Sequence, residues 1–524
     1  MLSTKKERIF SWILFGGCFI GAALFIILNI NRHLNSDMAS EMVLAELLLN
    51  EKKLLSTNWY YSTELFLVHT HLIFAPLMIV FKDWQLVRIV GTILLYVLLL
   101  LSVYYVCVQT QIKRAFPLVG IMFMLPLSQP YFDNVLRGVH YIPYLTGTFI
   151  LFGLALHYVH VKARLKKIVL LIVGAVLSFA FGIQGMRLIL TFAIPSACTV
   201  LLLFAQKKFF KGTSPCGYEV RFGVAIGIFC LCMVAGCFLN TTILSKIYDF
   251  TSYTNLEFTD IKFPNNVFND LVKFWGYETG KSFSAVLLHN VVALFFIIAV
   301  LFAIIQGIKK DTRFEQRILC MLYPVGCIIF LALYACTTAP NFETYHLPIS
   351  IFGFPTIVTL INVKWEWKRV YKAIAWIFIF AVVACGAHNY FTNSTFDRNE
   401  DIRDLAEYLV DDEYEAGYAT FWDGNVLAEL SDGRFEMYVI PGNDEPDIDQ
   451  TFKWMQAKNH DSQPPEGKVF VVIRANKLGV YAISSKLSPA DIVYETGDFL
   501  VYGYDDYETM KWAMEIAEEE NQYS

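Results

Sequence analysis

Up to residue 390 the chain is built from long apolar runs separated by short polar ones. The runs 9–30, 86–108, 115–131, 141–158, 168–183, 188–204, 222–239, 283–305, 318–336, 347–361 and 371–390 are each long and apolar enough to cross a bilayer, which predicts 11 transmembrane helices. Lys and Arg gather in every second connection: Lys5/Lys6/Arg8, Lys113/Arg114, Lys162/Arg164/Lys166/Lys167, Lys207/Lys208/Lys211, Lys309/Lys310/Arg313/Arg317 and Lys364/Lys368/Arg369/Lys372. Short cytoplasmic loops collect these residues, so the amino terminus is expected inside and the first loop, 31–85, outside. Segments 132–140, the turn at Arg187, 240–282, 337–346 and everything after 391 then share the outer face.

Two stretches of the first outer loop have a pattern of their own. Residues 65–81 are apolar but contain His69, His71 and Pro76, and reading them as a crossing would invert every later loop. They are expected to form an amphipathic or re-entrant piece at the outer surface. In 37–50, Ser36 or Asp37 is placed to cap a helix on which Met38, Met42, Ala45 and Leu49 share one face. Such a helix is expected to lie flat on the membrane with Glu41 and Glu46 on its solvated side.

After residue 391 the pattern changes. Polar helical stretches at 398–410, 447–455 and 506–520 alternate with β-rich runs at 418–422, 436–440, 469–473, 492–495 and 499–502. This alternation predicts a small α/β domain of about 130 residues, enough for its own core. The expected architecture is a polytopic α-helical membrane protein, residues 1–391, followed by a small extracytoplasmic α/β domain, residues 392–524.

Composition agrees with this division. The chain is 56% hydrophobic and 17% charged, with a mean hydropathy of +0.47, too apolar for a soluble protein of this length. Its net charge of −5 hides an asymmetry. From Phe391 onward there are 29 Asp and Glu against 10 Lys and Arg, a net of −19, which leaves 18 acids and 32 bases before it, a net of +14. The 11 cysteines end at Cys385 and form no CxxC or Cys/His zinc spacing, so they read as apolar filler in helices.

Ionisable residues at the outer ends of helices are the candidates for chemistry. Asp37 and Glu41 follow the first helix; Asp133, Arg137 and His140 precede residue 141; Arg187 follows a helix end, Lys281 precedes another, and His346 lies in 337–346. Each has a plain structural reading too: Asp37 as a helix cap, the cations as interface anchors, the histidines as buried polar groups.

This layout resembles the GT-C superfamily of integral-membrane glycosyltransferases, which includes protein O-mannosyltransferases and bacterial lipid A aminoarabinose transferases. The resemblance is carried by Asp37 soon after the first helix in a long outer loop, by KDWQLVRIVGTILLY (82–96), by YFDNVLRGVHYIPYLTGTFILFGLAL (131–156), and by a soluble domain after the last helix. Many relatives have adjacent paired acids and a His-Pro-Pro element in this loop, where the present chain has Asp37 with Glu41 and HTHLIFAP at 69–76.

The resemblance implies transfer of a sugar from a polyprenyl-phosphate carrier to a cell-envelope glycan, lipid or protein. Asp37 would be the catalytic base. Glu41 and Asp133 would support it or hold a divalent cation, while Arg137, His140, Arg187, Lys281 and His346 would bind the donor phosphate. His69, His71, Trp422 and Asp423 are candidates on the acceptor side. No nucleic acid partner is expected. Two other readings stand beside this one: a transporter or lipid flippase, and an inactive relative whose outer domain binds envelope polymer.

Overall fold

The computed structural model describes residues 4–523 apart from 211–216, 252–256, 260–264, 278–282, 310–311, 339–345, 363–367, 443–445, 477–482 and 484–485. Helix α1 (Lys5–Asn29) opens with a capping box in which Thr4 and Glu7 satisfy each other's backbone N–H groups. There follow α2 (Ser36–Glu51), α3 (His71–Val80), α4 (Trp84–Gln109), α5 (Phe116–Met124), and α6 (Gln129–Tyr131), which runs into a π-helical turn, Phe132–Arg137. The long helices continue as α7 (Ile142–His160), α8 (Arg164–Gln184), α9 (Ile194–Phe210), α10 (Tyr218–Thr242), α11 (Asn265–Phe274), α12 (Phe283–Ile308) and α13 (Phe314–Cys336). The short α14 (Leu347–Ser350) and α15 (Gly353–Asn362) lead to α16 (Lys368–Ser394).

Among the described residues nine helices are long and apolar enough to cross a membrane, or ten if the bent pair Lys113–Met124 and Gln129–Arg137 is one span, against the expected 11. The two differences have physical causes. The run 115–131 is broken by a 96° bend between Lys113–Met124 and Gln129–Arg137, and the break contains Pro126, which cannot continue a helix. The run at 347–361 folds as the shorter apolar segment Leu347–Asn362. Within 65–81 the only helix among the described residues is α3, whose 10 residues are too few to span.

Contacts sort the helix ends onto two faces. On one, Glu7 pairs with Lys372, Gln316 donates to the Thr110 carbonyl at 3.3 Å, His160 meets Glu315 at 2.5 Å and Gln206 reaches the Ile308 carbonyl at 3.0 Å. On the other, Arg32 donates to the Ser394 carbonyl at 3.2 Å, Gln129 lies 3.4 Å from Asn393 and Asn240 donates to the Ile183 carbonyl at 2.7 Å. Successive ends alternate between these faces, as the basic clusters predict. The protein is a multi-pass membrane protein.

Close helix approach depends on glycine. A Cβ on Gly182 would lie 2.1 Å from the Met233 carbonyl oxygen, and one on Gly236 would lie 2.3 Å from that of Phe179. These residues let α8 and α10 pack backbone to backbone, the small-residue contact that membrane helices use when lipid offers no hydrophobic drive.

The C-terminal region begins with α17 (Glu400–Asp411) and contains α18 (Phe421–Leu430), α19 (Tyr507–Tyr523) and a five-stranded sheet. Its strands are β2 (Ala416–Thr420), β3 (Glu436–Ile440), β5 (Val469–Arg474), β6 (Ile492–Glu495) and β7 (Phe499–Tyr504), in the order β3-β2-β5-β7-β6. β2 runs parallel to β3 and β5, while β7 is antiparallel to β5 and β6. The expected helix at 447–455 is absent: its described residues form turns and extended chain. They lead into β4 (Gln456–Ala457), which pairs antiparallel with β1 (Trp59–Tyr60) of the first outer loop.

The α/β region is therefore joined to the membrane region. Leu44, Leu48, Trp59 and Tyr61 share one buried cluster with Phe421, Val439 and Met455. Helix α2 lies inside this junction, with Met38, Ala39, Met42 and Ala45 all fully buried. The flat, half-solvated helix expected from its pattern is not what forms. Nor is its cap Ser36 or Asp37: the Asn35 side chain accepts the Met38 N–H at 3.0 Å.

If α8 and α10 depend on backbone contact, Gly182→Val forces them apart by more than neighbouring side chains can absorb. Thermal unfolding in detergent should show a loss of about 1–3 kcal/mol or more. Gly227→Ala, where a Cβ meets nothing within 4 Å, should leave the midpoint unchanged; equal midpoints for both variants contradict the packing argument.

Candidate active site

The cap at Asn35 places Asp37 in the first turn of α2, just beyond the C-terminal end of α1. The connection is pinned by His33, whose Nε2 lies 2.7 Å from the Asn393 carbonyl oxygen at the end of α16. Asp37 is partly exposed. Burial raises its carboxyl above the ordinary aspartate value, and the Arg137 guanidinium pulls it part of the way back. A carboxylate and a guanidinium from separate elements thus lie within electrostatic reach of each other.

Arg137 owes its position to the wide turn that ends α6. The Gly138 N–H donates to the Asp133 carbonyl at 3.0 Å, and a Cβ on Gly138 would lie 2.6 Å from that same oxygen and 2.8 Å from the His140 ring. Only glycine fits this closure. The turn sets Arg137 Nη1 3.3 Å from Asp133 Oδ1, and Asp133 also accepts from Gln129 at 3.1 Å. Arg137 is buried while Asp133 stays partly exposed.

Arg187 belongs to a second group beside the first. Its Nε donates to Glu64 Oε1 at 2.5 Å, and its guanidinium lies over the Tyr141 and Tyr144 rings at 4.8 and 5.1 Å. Stacking on two rings and bonding through Nε orients a guanidinium while leaving its terminal N–H groups to meet an anion. Tyr144 also donates its hydroxyl to Glu64. His140 connects the two groups electrostatically: burial lowers it to about 4, with Arg187 and Arg137 adding to the shift. It is a neutral imidazole at neutral pH.

Glu64 is a site residue that sequence reasoning missed. A lone arginine in an apolar turn needs a counter-charge, which is the signal that would have pointed to an acid in the facing loop.

Glu41 and the two loop histidines form a third, drier group. Contrary to expectation, Glu41 is buried rather than solvated, with 2% of its surface exposed. Its Oε1 lies 3.4 Å from His69 Nδ1. Burial pushes its carboxyl up to about 8, against the pull of Arg88 and a hydrogen bond from Thr70. His69 stacks on Phe66 at 4.2 Å, and burial lowers its pKa. His71 is buried too, and among the described residues neither ring nitrogen has a hydrogen-bond partner. Both histidines, candidates for the acceptor side, are packed inside the loop.

Arg88 of α4 ties these groups together. It is fully buried; its Nε and Nη2 bond Glu429 of α18 at 2.7 and 2.6 Å, and Nη2 also donates to the Met38 carbonyl at 2.7 Å. The bidentate pair fixes the α/β region and the residue after Asp37 against one membrane helix. Ser36 adds a bond from its hydroxyl to the Phe421 carbonyl.

The remaining candidates divide. Lys281 lies outside the described residues. His346 is buried against the Phe330 and Tyr334 rings at 6.1 and 5.1 Å. Asp423, a candidate on the acceptor side, lies in a helix and is buried, held by Arg474 at 2.8 Å and by Thr420 at 3.1 Å. That carboxylate secures α18 to β5. Trp422 alone keeps a substantial exposed face, 39%. Among the described residues no three His, Cys, Asp or Glu side chains gather as a metal site.

Crystal structures of ArnT from Cupriavidus metallidurans, one in the apo state and one bound to undecaprenyl phosphate, align with this chain at a TM-score of 0.53 and 12% identity. They cover 93% of it and 97% of their own length. The Archaeoglobus fulgidus oligosaccharyltransferase in complex with Zn and sulfate aligns more loosely, at a TM-score of 0.47 and 12% identity over 90% of this chain and 72% of that one. No protein-family model matches the sequence, and no curated protein sequence does. The ArnT comparison establishes the fold: the chain shares the polytopic helical architecture of ArnT, with a small C-terminal α/β region as expected from the sequence.

Removing either partner of a buried ion pair strands the other, so Arg88→Ala and Glu429→Gln should each cost about 3–5 kcal/mol in unfolding experiments, and Arg88→Met with Glu429→Leu much less than their sum. Additive losses contradict a coupled pair.

Glu41 predicts a pH effect. Its folded value, about 8, exceeds the ordinary 4.5, so between these the folded protein binds the proton more tightly and stability falls as pH rises. Glu41→Gln should therefore gain on wild type steadily from about pH 4.5 to about 8 and no further; curves that stay parallel across that window contradict a buried protonated Glu41.

Proposed function

We propose that this protein is a membrane glycosyltransferase that moves a sugar from a polyprenyl-phosphate carrier to a cell-envelope acceptor, with Asp37 as its base. The observation that carries this reading is the partly exposed Asp37 carboxylate beside the Arg137 guanidinium at one end of α1, within a fold shared with a protein whose crystal structure holds undecaprenyl phosphate. The basic clusters on the opposite face support a cytoplasmic amino terminus and an extracytoplasmic site.

The chemistry suits these residue types. A polyprenyl phosphate leaves as a stable anion, so the leaving group needs no proton and one carboxylate is enough. The acceptor hydroxyl oxygen attacks the anomeric carbon from the side opposite the phosphate, a new C–O bond forms as the bond to the phosphate oxygen breaks, and the configuration inverts. Asp37 takes the hydroxyl proton, and its raised pKa makes it a better base than an open aspartate. Arg137 and the stacked Arg187 face the departing phosphate, where charge grows. His140, neutral between them, is a hydrogen-bonding group rather than a cation.

Asp37 and Asp133 are the carboxylates with open faces in this site. Glu41, turned toward His69 and Thr70, supports the helix rather than a ligand. The acceptor is expected to enter past Trp422.

Asp37→Asn in membranes supplied with labelled polyprenyl-phosphate sugars should lose transfer by about 10²–10⁴-fold. In the wild type kcat/KM should fall as pH drops through the raised Asp37 value, because the base must be deprotonated. Equal transfer by wild type and variant overturns the assignment, and saturable solute uptake without transfer by either would identify a transporter instead.

A further inference from the structure

The outer site as described so far has the wrong charge for its ligand. Asp37 and Asp133 against Arg137 leave one net negative charge, and the Glu64–Arg187 pair adds none. A phosphate approaching this set meets repulsion unless further cations face it.

The segment joining α16 to α17 supplies them. Asn399 donates to the carbonyls of Asn31 and Leu34 at 2.8 and 2.9 Å, and the Arg398 N–H donates to the Arg32 carbonyl at 3.0 Å. The junction is thus fastened to the residues that immediately precede Asn35 and Asp37. Asp397 accepts from Arg403 at 2.7 Å and lies 3.6 Å from Arg32, so these three carry one net positive charge. Arg398 adds another. It is exposed, and among the described residues its guanidinium has no ion-pair partner. Arg398 and Arg137 lie close enough to feel each other's charge, and Asp133 and Asp37 act on Arg137 in the opposite sense.

We propose that Arg398 is a phosphate-binding residue, brought to the Asp37–Arg137 site by the junction between the membrane helices and the α/β region to hold a polyprenyl phosphate together with Arg137. Nothing in the sequence pattern singles it out, because only three residues of ordinary linker separate it from the end of α16. The proposal rests on reading this site as the donor site.

The reaction explains why a second guanidinium is needed. The donor phosphodiester carries one negative charge. When the anomeric C–O bond breaks, its electron pair stays on the phosphate oxygen and the acceptor proton goes to Asp37, so the lipid product is a phosphomonoester with a second charge. A cation that meets the second charge binds the late state more strongly than the donor and raises kcat. Arg398→Ala should accordingly reduce kcat more than it raises the KM for donor.

The direct test is binding of radiolabelled farnesyl phosphate, a C15 polyprenyl monophosphate, to the purified full chain, with inorganic phosphate and phosphatidylglycerol as competitors. Arg398→Ala should bind about 10- to 100-fold more weakly than wild type, with Arg398→Lys recovering part of the loss. Unchanged thermal unfolding, expected for an exposed side chain, would separate this from misfolding. Wild-type affinity in Arg398→Ala, or equal displacement by phosphatidylglycerol or inorganic phosphate at the same concentration, overturns the proposal. The donor-site reading fails in a different way: the binding contrast would hold while wild type and Asp37→Asn transfer sugar equally.

Discussion

A single buried ion pair holds the functional half of this molecule together. Arg88 enters from a membrane helix and meets Glu429 from the α/β region with both carboxylate oxygens engaged, and the same guanidinium supports the backbone one residue past Asp37. Burying two charges is expensive, and the pair is tolerable only because its geometry is bidentate and the carbonyl takes a further N–H. The consequence is positional. α2 cannot shift without breaking this contact, and the α/β region cannot swing away without stranding Arg88.

The other features of the outer face make sense around that constraint. β1 and β4 pair across the two regions, Trp59 and Phe421 share a core, and the chain after α16 is stitched to the end of α1. The outer loop is thus a layer with protein on both sides, which explains why Glu41, His69 and His71 are dry while Asp37, Asp133, His140 and Arg187 keep access to solvent. Groups in the dry layer hold the scaffold. Those at its rim are where charge can change during a reaction.

The membrane architecture was legible because hydrophobic length and Lys/Arg placement answer directly to the bilayer. The polar contacts at the two helix faces reproduce the alternation read from Lys5/Lys6/Arg8 onward. Asp37, Arg137, His140 and Arg187 were also legible as candidates, since each sits near a helix end. The burial of α2 was not. Its sequence has acids on one side, and only the small residues Ala39, Ser40 and Ala45, with no Lys or Arg along Ser36–Glu51, hinted that protein would cover it. Glu64 and Glu429 were missed because a buried partner is chosen by tertiary packing rather than by local spacing. The turn structure at 447–455 was missed because β4 pairs with a strand nearly 400 residues away, and no local pattern reports that. The structural role of Asp423 was hidden for the same reason, its partner Arg474 lying some fifty residues on, at the end of β5.

The central claim is that the rim of this outer layer receives a polyprenyl phosphate. The most direct measurement is photo-crosslinking of the full chain in membranes with a polyprenyl phosphate carrying a photoreactive group next to the phosphate, followed by mapping of the labelled peptides. The account predicts labelling in the stretches around Arg32–Asp37 and Gln129–His140, suppressed by excess unlabelled polyprenyl phosphate. Labelling confined to the opposite face, around Lys5–Arg8 or Arg313–Arg317, or labelling that excess lipid does not suppress, would contradict it.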